Sequence, residues 1–183
     1  MNISVVLSNI PNLITLARIL MTPLAISMIV SQRFFEAFLI FVFAGVSDAV
    51  DGFIARHFNL RTELGAYLDP LADKALLTSI YVSLAIYGEL PAWLAIMVVS
   101  RDAMIVMAVV ISWLMDKPVE IRPLWESKFN TAAQIALAGF ALGVRAFGGD
   151  LPLLERALEW IVAATTLASG GIYIAQWFDH MSR

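Results

Sequence analysis

The chain has 183 residues, 60% hydrophobic and 15% charged, and its 12 basic against 15 acidic residues leave a net charge of −3. An ordinary soluble domain carries about 45–50% apolar and about 25% charged residues, so this composition points to a chain dissolved in lipid. Disorder, a collagenous repeat and nucleic-acid binding are excluded, because hydrophobicity is high and there is no basic excess to neutralise phosphates.

A hydrocarbon core about 30 Å thick needs roughly 20 apolar residues per helix. The sequence predicts an all-α integral membrane protein with six transmembrane helices over residues 11–31, 34–56, 66–87, 91–115, 127–147 and 152–178. No Lys or Arg precedes the first apolar run and no small-residue cleavage site follows it, so that run reads as a retained span rather than a signal peptide. The breaks are short and polar or rich in Pro and Gly, as at 31–33, 57–65, 87–91, 116–128 and 148–152. None is long enough for a second domain, so residues 1–183 read as one transmembrane domain. An even number of spans puts both termini on one side. Arg56, Arg61, Lys117, Arg122, Lys128 and Arg183 fall on that side, against Arg33, Arg145 and Arg156 on the other, which predicts cytoplasmic termini. Trp93, Trp113, Trp125, Trp160 and Trp177 lie near span ends and read as an interfacial belt.

The belt leaves the charges inside the spans unexplained: Arg18, Asp48, Asp51, Asp69, Asp73, Lys74, Arg101 and Asp102. Each costs about 2.5–3.5 kcal/mol at a helix centre, and such residues mark functional or water-filled sites. With no cysteine and only His57 and His180, any metal must be held mainly by carboxylates, and neither histidine is assigned a role. Asp48 and Asp51 are three apart and Asp69 and Asp73 four apart, so on helices each pair projects from one face. Two such pairs form a hard oxygen cage that suits Mg²⁺ or Mn²⁺, with Ca²⁺ left open by ligand type. Gly52, Ala55 and Gly65 remove bulk beside the aspartates, and Arg56 supplies a cation that can pair with a phosphate. Pro70, after Asp69, predicts that the third span kinks or restarts there.

The pattern Asp48-x2-Asp51-Gly52-x2-Ala55-Arg56-x8-Gly65-x3-Asp69-x3-Asp73 resembles the signature of the CDP-alcohol phosphatidyltransferases, integral membrane enzymes of phospholipid synthesis, at every specified position. The resemblance implies that Asp48, Asp51 and Asp69 bind a pair of Mg²⁺ or Mn²⁺ ions holding the diphosphate of CDP-diacylglycerol. It implies that Asp51, Gly52, Ala55, Arg56 and Gly65 line the nucleotide site. Asp73 would be the general base for the acceptor hydroxyl, within reach of a metal. Members of the family are commonly homodimers in the bacterial or mitochondrial inner membrane, with the site facing the cytoplasm or matrix.

Residues 10–18, 68–74, 100–102 and 127–134 are similar to the phosphatidylglycerophosphate synthase and cardiolipin synthase branch. The run Ser127-Lys128-Phe129-Asn130-Thr131 is similar to the cardiolipin synthases, where phosphatidylglycerophosphate synthases usually carry Gly-Lys-x-Lys-Thr. Asn130 in place of a lysine lowers the local positive charge and favours the less charged acceptor. The expected acceptor is therefore phosphatidylglycerol, giving cardiolipin and CMP, with glycerol 3-phosphate as the alternative. Arg101, Lys128, Asn12 and Arg18 are candidate contacts to an acceptor or lipid phosphate. Arg101 in a structural ion pair and Lys128 as a topological loop lysine are the plainer readings. Asn12, Thr15 and Arg18 share one helical face, which a role in packing would also explain. A cation or proton transporter using the same carboxylates is a remote second hypothesis. It is disfavoured because the polar groups cluster toward one side and no repeat is visible.

Overall fold

The computed structural model describes residues 3–57, 63–115 and 125–182, and within them the side chains other than those of 3–13, 51, 53–57 and 63–71. The described residues form six helices and no strand: α1 (Ile3–Val30), α2 (Phe34–His57), α3 (Glu63–Ile86), α4 (Ala92–Leu114), α5 (Trp125–Ala146) and α6 (Pro152–Ser182). Helix number and order agree with the apolar runs of the sequence. Two ends differ. α1 starts at Ile3 rather than at 11 and α6 continues to Ser182 rather than stopping at 178. Pro11 lies inside α1, so this helix runs through a proline at the place where its apolar run begins. The restart expected at Pro70 does not occur, because α3 is one continuous helix. A proline forfeits a single backbone bond, and a membrane-type helix tolerates that loss when neighbouring groups re-satisfy the freed carbonyl.

α4 and α6 are each long and apolar enough to cross a membrane. Large side chains such as Leu20, Phe43, Ile96 and Leu167 face outward and are more than half exposed. Outward apolar surface on this scale asks for a non-aqueous surround.

Inside, small residues let the helices approach. Ala37 and Ala44 of α2 and Ala138 and Ala141 of α5 are fully buried. A Cβ on Gly139 would lie 3.2 Å from Phe41 Cε1, and one on Gly143 would lie 3.3 Å from Phe38 Cε2. Two rings of α2 are thus seated on bare backbone of α5. The larger core residues, Ile80, Tyr81, Leu84, Leu94 and Leu142, fill the space between these close approaches.

The connections α1–α2, α3–α4 and α5–α6 gather at one end of the bundle, and each turns through a left-handed residue: Gln32 (φ 57°), Gly88 (φ 76°) and Gly148 (φ 65°). The residue after each closes the helix end, with Arg33 N donating to Met28 O (2.8 Å), Glu89 N to Leu84 O (2.8 Å) and Gly149 N to Val144 O (2.8 Å). Arg145 locks the same end. Its Nε donates to Glu89 Oε2, its Nη1 to Glu155 Oε1 (2.8 Å), and its Nη2 to the Glu89 carbonyl (2.7 Å). One guanidinium so ties α5 to the α3–α4 turn and to α6, and the functional charges lie toward the opposite end.

Candidate active site

Arg18 sits on the face of α1 turned toward α2 and α3, where its side chain is only 1% exposed. Its Nη1 lies 2.8 Å from Asp48 Oδ1 on α2 and 2.6 Å from Asp73 Oδ1 on α3. One nitrogen therefore serves two carboxylates from two helices. Without it, the like charges brought this close would repel. Thr22 Oγ1 donates to the Arg18 carbonyl one turn on, and Thr15, one turn before, is buried on the same face. The face predicted for Thr15 and Arg18 is thus turned into the bundle; the side chain of Asn12 lies outside the described residues.

Asp48 and Asp73 are the members of the expected carboxylate cage that can be placed. Asp51 falls on α2 and Asp69 on α3, and Gly52 is half-buried on α2. The side chains of Asp51, Ala55, Arg56, His57 and Asp69, and the surroundings of Gly65, lie outside the described residues. Among the described residues no group of three or more carboxylate or imidazole side chains converges. The two that do converge fit a hard cation: their donors are oxygens alone, and they already share one positive charge at hydrogen-bonding distance.

A second layer of charge lies on α3 and α4. Lys74 Nζ is 3.1 Å from Asp102 Oδ1, which also accepts from Arg101 Nη1 at 2.7 Å. Arg101 Nη2 donates to Ser127 Oγ of α5 (2.9 Å) and to Ser169 Oγ of α6, and the guanidinium stands 5.5 Å from the centre of the Tyr173 ring. Nη2 of this buried side chain thus joins α4 to α5 and α6, while Nη1 pairs with Asp102 on α4 itself. Lys128 points outward instead, with Nζ 5.1 Å from the Trp125 ring centre, the position of a headgroup-level cation. His180 is exposed near the end of α6.

Asn130 is fully buried in the α5–α6 seam, where its Oδ1 accepts from Thr165 Oγ1 and Thr166 Oγ1, each at 2.9 Å. A lysine there would put an ammonium among hydroxyls that Asn130 now uses, so the residue bears on helix packing as well as on local charge. Trp177 similarly does more than mark the interface: its indole N–H donates to Ser112 Oγ (2.8 Å) and Ala108 O (3.1 Å), joining α6 to α4.

Arg18, Asp48, Asp73, Lys74 and Asp102 form the polar end of a cavity of about 460 Å³. The rest of its wall is mostly apolar, from Phe41, Val42, Gly45 and Val46 of α2, Leu76 and Leu77 of α3 and Ile135 of α5, with Thr131 and Gln134 of α5 as its polar members. Lys74 and Asp102 stand out in the sequence as intramembrane charges but carry no assigned role there. Their pairing depends on the rotation of α3 against α4. The cavity wall could not be read at all, since any apolar residue satisfies the helical pattern.

The sequence model of the CDP-alcohol phosphatidyltransferases matches residues 8–168. The chain belongs to that family. It is 35% identical over 90% of its length to a cardiolipin synthase (CMP-forming) and mitochondrial hydrolase fusion protein of Schizosaccharomyces pombe, and it covers 30% of that protein. It is 34% identical over 90% of its length to human cardiolipin synthase (CMP-forming), covering 60% of it. It is 32% identical over 92% of its length to the CDP-diacylglycerol–glycerol-3-phosphate 3-phosphatidyltransferase of Bacillus subtilis, covering 94% of that chain. The phosphatidyltransferase is thus shorter than the first two relatives and similar in extent to the third. Relatives of both acceptor types stand at nearly the same identity.

Proposed function

We propose that this CDP-alcohol phosphatidyltransferase moves a phosphatidyl group from CDP-diacylglycerol to phosphatidylglycerol, releasing CMP and forming cardiolipin. The observation that carries the reading is the sharing of one cation by Asp48 and Asp73 in the wall of a cavity whose remaining lining is mostly apolar. A polar end that manages phosphate charge, joined to an apolar body, fits a lipid better than a small dianion. The human relative supports this acceptor and the Bacillus relative supports glycerol 3-phosphate, which is kept as the second reading. We further propose six spans, cytoplasmic termini and a site facing the cytoplasm or matrix, on the basic-residue distribution and the outward apolar surface.

In this mechanism Asp73 accepts the proton of the acceptor hydroxyl, whose oxygen forms a bond to the phosphorus that carries the diacylglycerol. The bond from that phosphorus to the CMP oxygen breaks, and the pair of electrons leaves with CMP. Asp73 suits the task because its carboxylate is nearly half exposed and so reachable, while Arg18 fixes its orientation. Mg²⁺ or Mn²⁺ would be held by Asp48, Asp51, Asp69 and Asp73 and would supply charge neutralisation of the diphosphate and of the departing CMP. Lys74 and Asp102 pair with each other in the wall of the cavity.

Purified protein given CDP-diacylglycerol and Mg²⁺ or Mn²⁺, with phosphatidylglycerol and glycerol 3-phosphate in separate reactions, tests the reading through CMP release and the identity of the product. Cardiolipin in the first reaction alone is expected. Phosphatidylglycerophosphate in the second would move the assignment to the second reading, and CMP from neither would refute both. Asp73→Asn should abolish turnover while CDP-diacylglycerol still binds; near-normal turnover would remove Asp73 as the base.

A further inference from the structure

Six charged side chains at this end of the bundle form two triads of opposite make-up. In the first, one nitrogen of Arg18 serves the carboxylates of Asp48 and Asp73, and the three by themselves sum to a charge of −1. In the second, one oxygen of Asp102 serves the ammonium of Lys74 (3.1 Å) and the guanidinium of Arg101 (2.7 Å), and these sum to +1. Asp73 and Lys74 are consecutive on α3, so their side chains leave the helix about 100° apart, one toward α1 and α2 and the other toward α4. The two triads therefore border one cavity from different sides.

A divalent cation belongs at the negative triad, where the oxygens of Asp48 and Asp73 stand. The positive triad suits the opposite partner, an anion. Arg101 is buried, with Nη1 on Asp102 and Nη2 on two serine hydroxyls. Lys74 is 46% exposed and lines the cavity, so it is the cation of this triad that a ligand can reach. An ammonium has three N–H donors, and Asp102 takes one, which leaves two for the oxygens of a phosphate. Because Arg101 holds Asp102 and Asp102 holds Nζ, the flexible lysine stem is fixed at its far end before a ligand arrives.

Gln134 shows independently that the cavity is short of oxygen. It lines the cavity from α5, is 3% exposed, and its Nε2 is a buried nitrogen without a hydrogen-bond partner among the described residues. Buried donors left unmatched are rare, and a ligand oxygen would match this one.

We infer that Lys74 is a phosphate ligand of the substrate site, with Asp102 as the positioning residue that holds its ammonium in the cavity wall. The inference rests on the phosphatidyl transfer read above and not on the choice of acceptor, since CDP-diacylglycerol, phosphatidylglycerol and glycerol 3-phosphate all carry phosphate. Lys74→Met keeps the aliphatic stem and removes the charge, while Asp102 keeps Arg101 as a partner. Lys74→Arg keeps the charge, and Asp102→Asn removes the tether.

The test measures kcat and KM of wild type and these variants in detergent with Mg²⁺, first varying CDP-diacylglycerol and then the acceptor. The acceptor is phosphatidylglycerol, or glycerol 3-phosphate where wild type uses that instead. Lys74→Met should raise KM by about tenfold for at least one substrate, and Lys74→Arg should bring it back to within about threefold of wild type. A rise for CDP-diacylglycerol assigns Lys74 to the diphosphate, and a rise for the acceptor assigns it to the acceptor's phosphate. Asp102→Asn should raise the same KM by a smaller factor. Combined with Lys74→Met it should add nothing to that KM, because the tether acts only through the ammonium. Losses that add in the double variant would make Asp102 structural. Lys74→Met with both KM values within about twofold of wild type overturns the inference, as does a rise that Lys74→Arg leaves in place. Wild type that releases no CMP with either acceptor refutes the functional reading itself, and the inference with it, before any variant is compared.

Discussion

Replacing Arg18 with glutamine removes the cation that Asp48 and Asp73 share and leaves two carboxylates facing each other. Breaking a fully buried pair costs about 3–5 kcal/mol. Here the two carboxylates are 44% and 45% exposed, so water screens part of that loss and about 1–3 kcal/mol is the expected cost in metal-free protein. At about 2–4 °C per kcal/mol for a chain of this size, the apparent Tm should drop by several degrees. A divalent ion at the same carboxylates replaces the missing charge, and at a hundredfold excess over its Kd it contributes about 2.7 kcal/mol. Saturating Mg²⁺ or Mn²⁺ should thus close most of the gap. The metal-induced rise in Tm should be larger in the variant than in wild type, where the ion competes with a tethered guanidinium. Tryptophan fluorescence during a thermal ramp, in detergent with chelator or with metal, reads all four conditions. A gap of the same size with and without metal would refute the idea that Arg18 and the metal use the same oxygens. No gap at all would mean that the shared ion pair contributes nothing.

Other contacts give sharper single tests of the scaffold. Gln32 pays for a left-handed turn that glycine adopts freely, so Gln32→Gly should raise stability by about 0.5–1 kcal/mol, seen as a higher Tm. Arg145→Met leaves Glu89 and Glu155 without their partner at the far end of the bundle and should cost about 2–4 kcal/mol while kcat/KM of surviving protein is unchanged, which paired unfolding and activity assays would check. Gly139→Leu drives a side chain into Phe41 and should destabilise by about 1–3 kcal/mol, with Gly139→Ala milder because the Phe41 ring edge needs to yield only a few tenths of an ångström.

Much of this molecule was legible in the sequence because charges are rare in it and therefore conspicuous. Asp48 and Asp73 stand out on cost alone, and the apolar runs between polar breaks set the number and order of the helices. What stayed hidden is what depends on the rotation of one helix against another. Nothing in a linear reading says that Arg18, 55 residues before Asp73, meets it across the α1–α3 contact. Nor does it say that Arg101 turns toward Ser127 and Ser169. The place of Arg18 on the carboxylates follows from the same physics that makes it visible: a buried cation settles on the nearest anions. The turn at Gln32 was illegible for the opposite reason, because its left-handed backbone lacks the glycine that marks 88 and 148. Lys74 and Asp102 fall between these cases. Each is conspicuous in the sequence as a charge, and they acquire a meaning together when α3 and α4 set them in contact with Arg101 behind. A linear reading supplies the signs of the charges but not their grouping. Grouped as they are, Arg18 with two carboxylates and Asp102 with two cations, they give one cavity a negative and a positive side. The rotation of α3 that turns Asp73 toward α1 and Lys74 toward α4 thus sets where a metal and where a phosphate can sit.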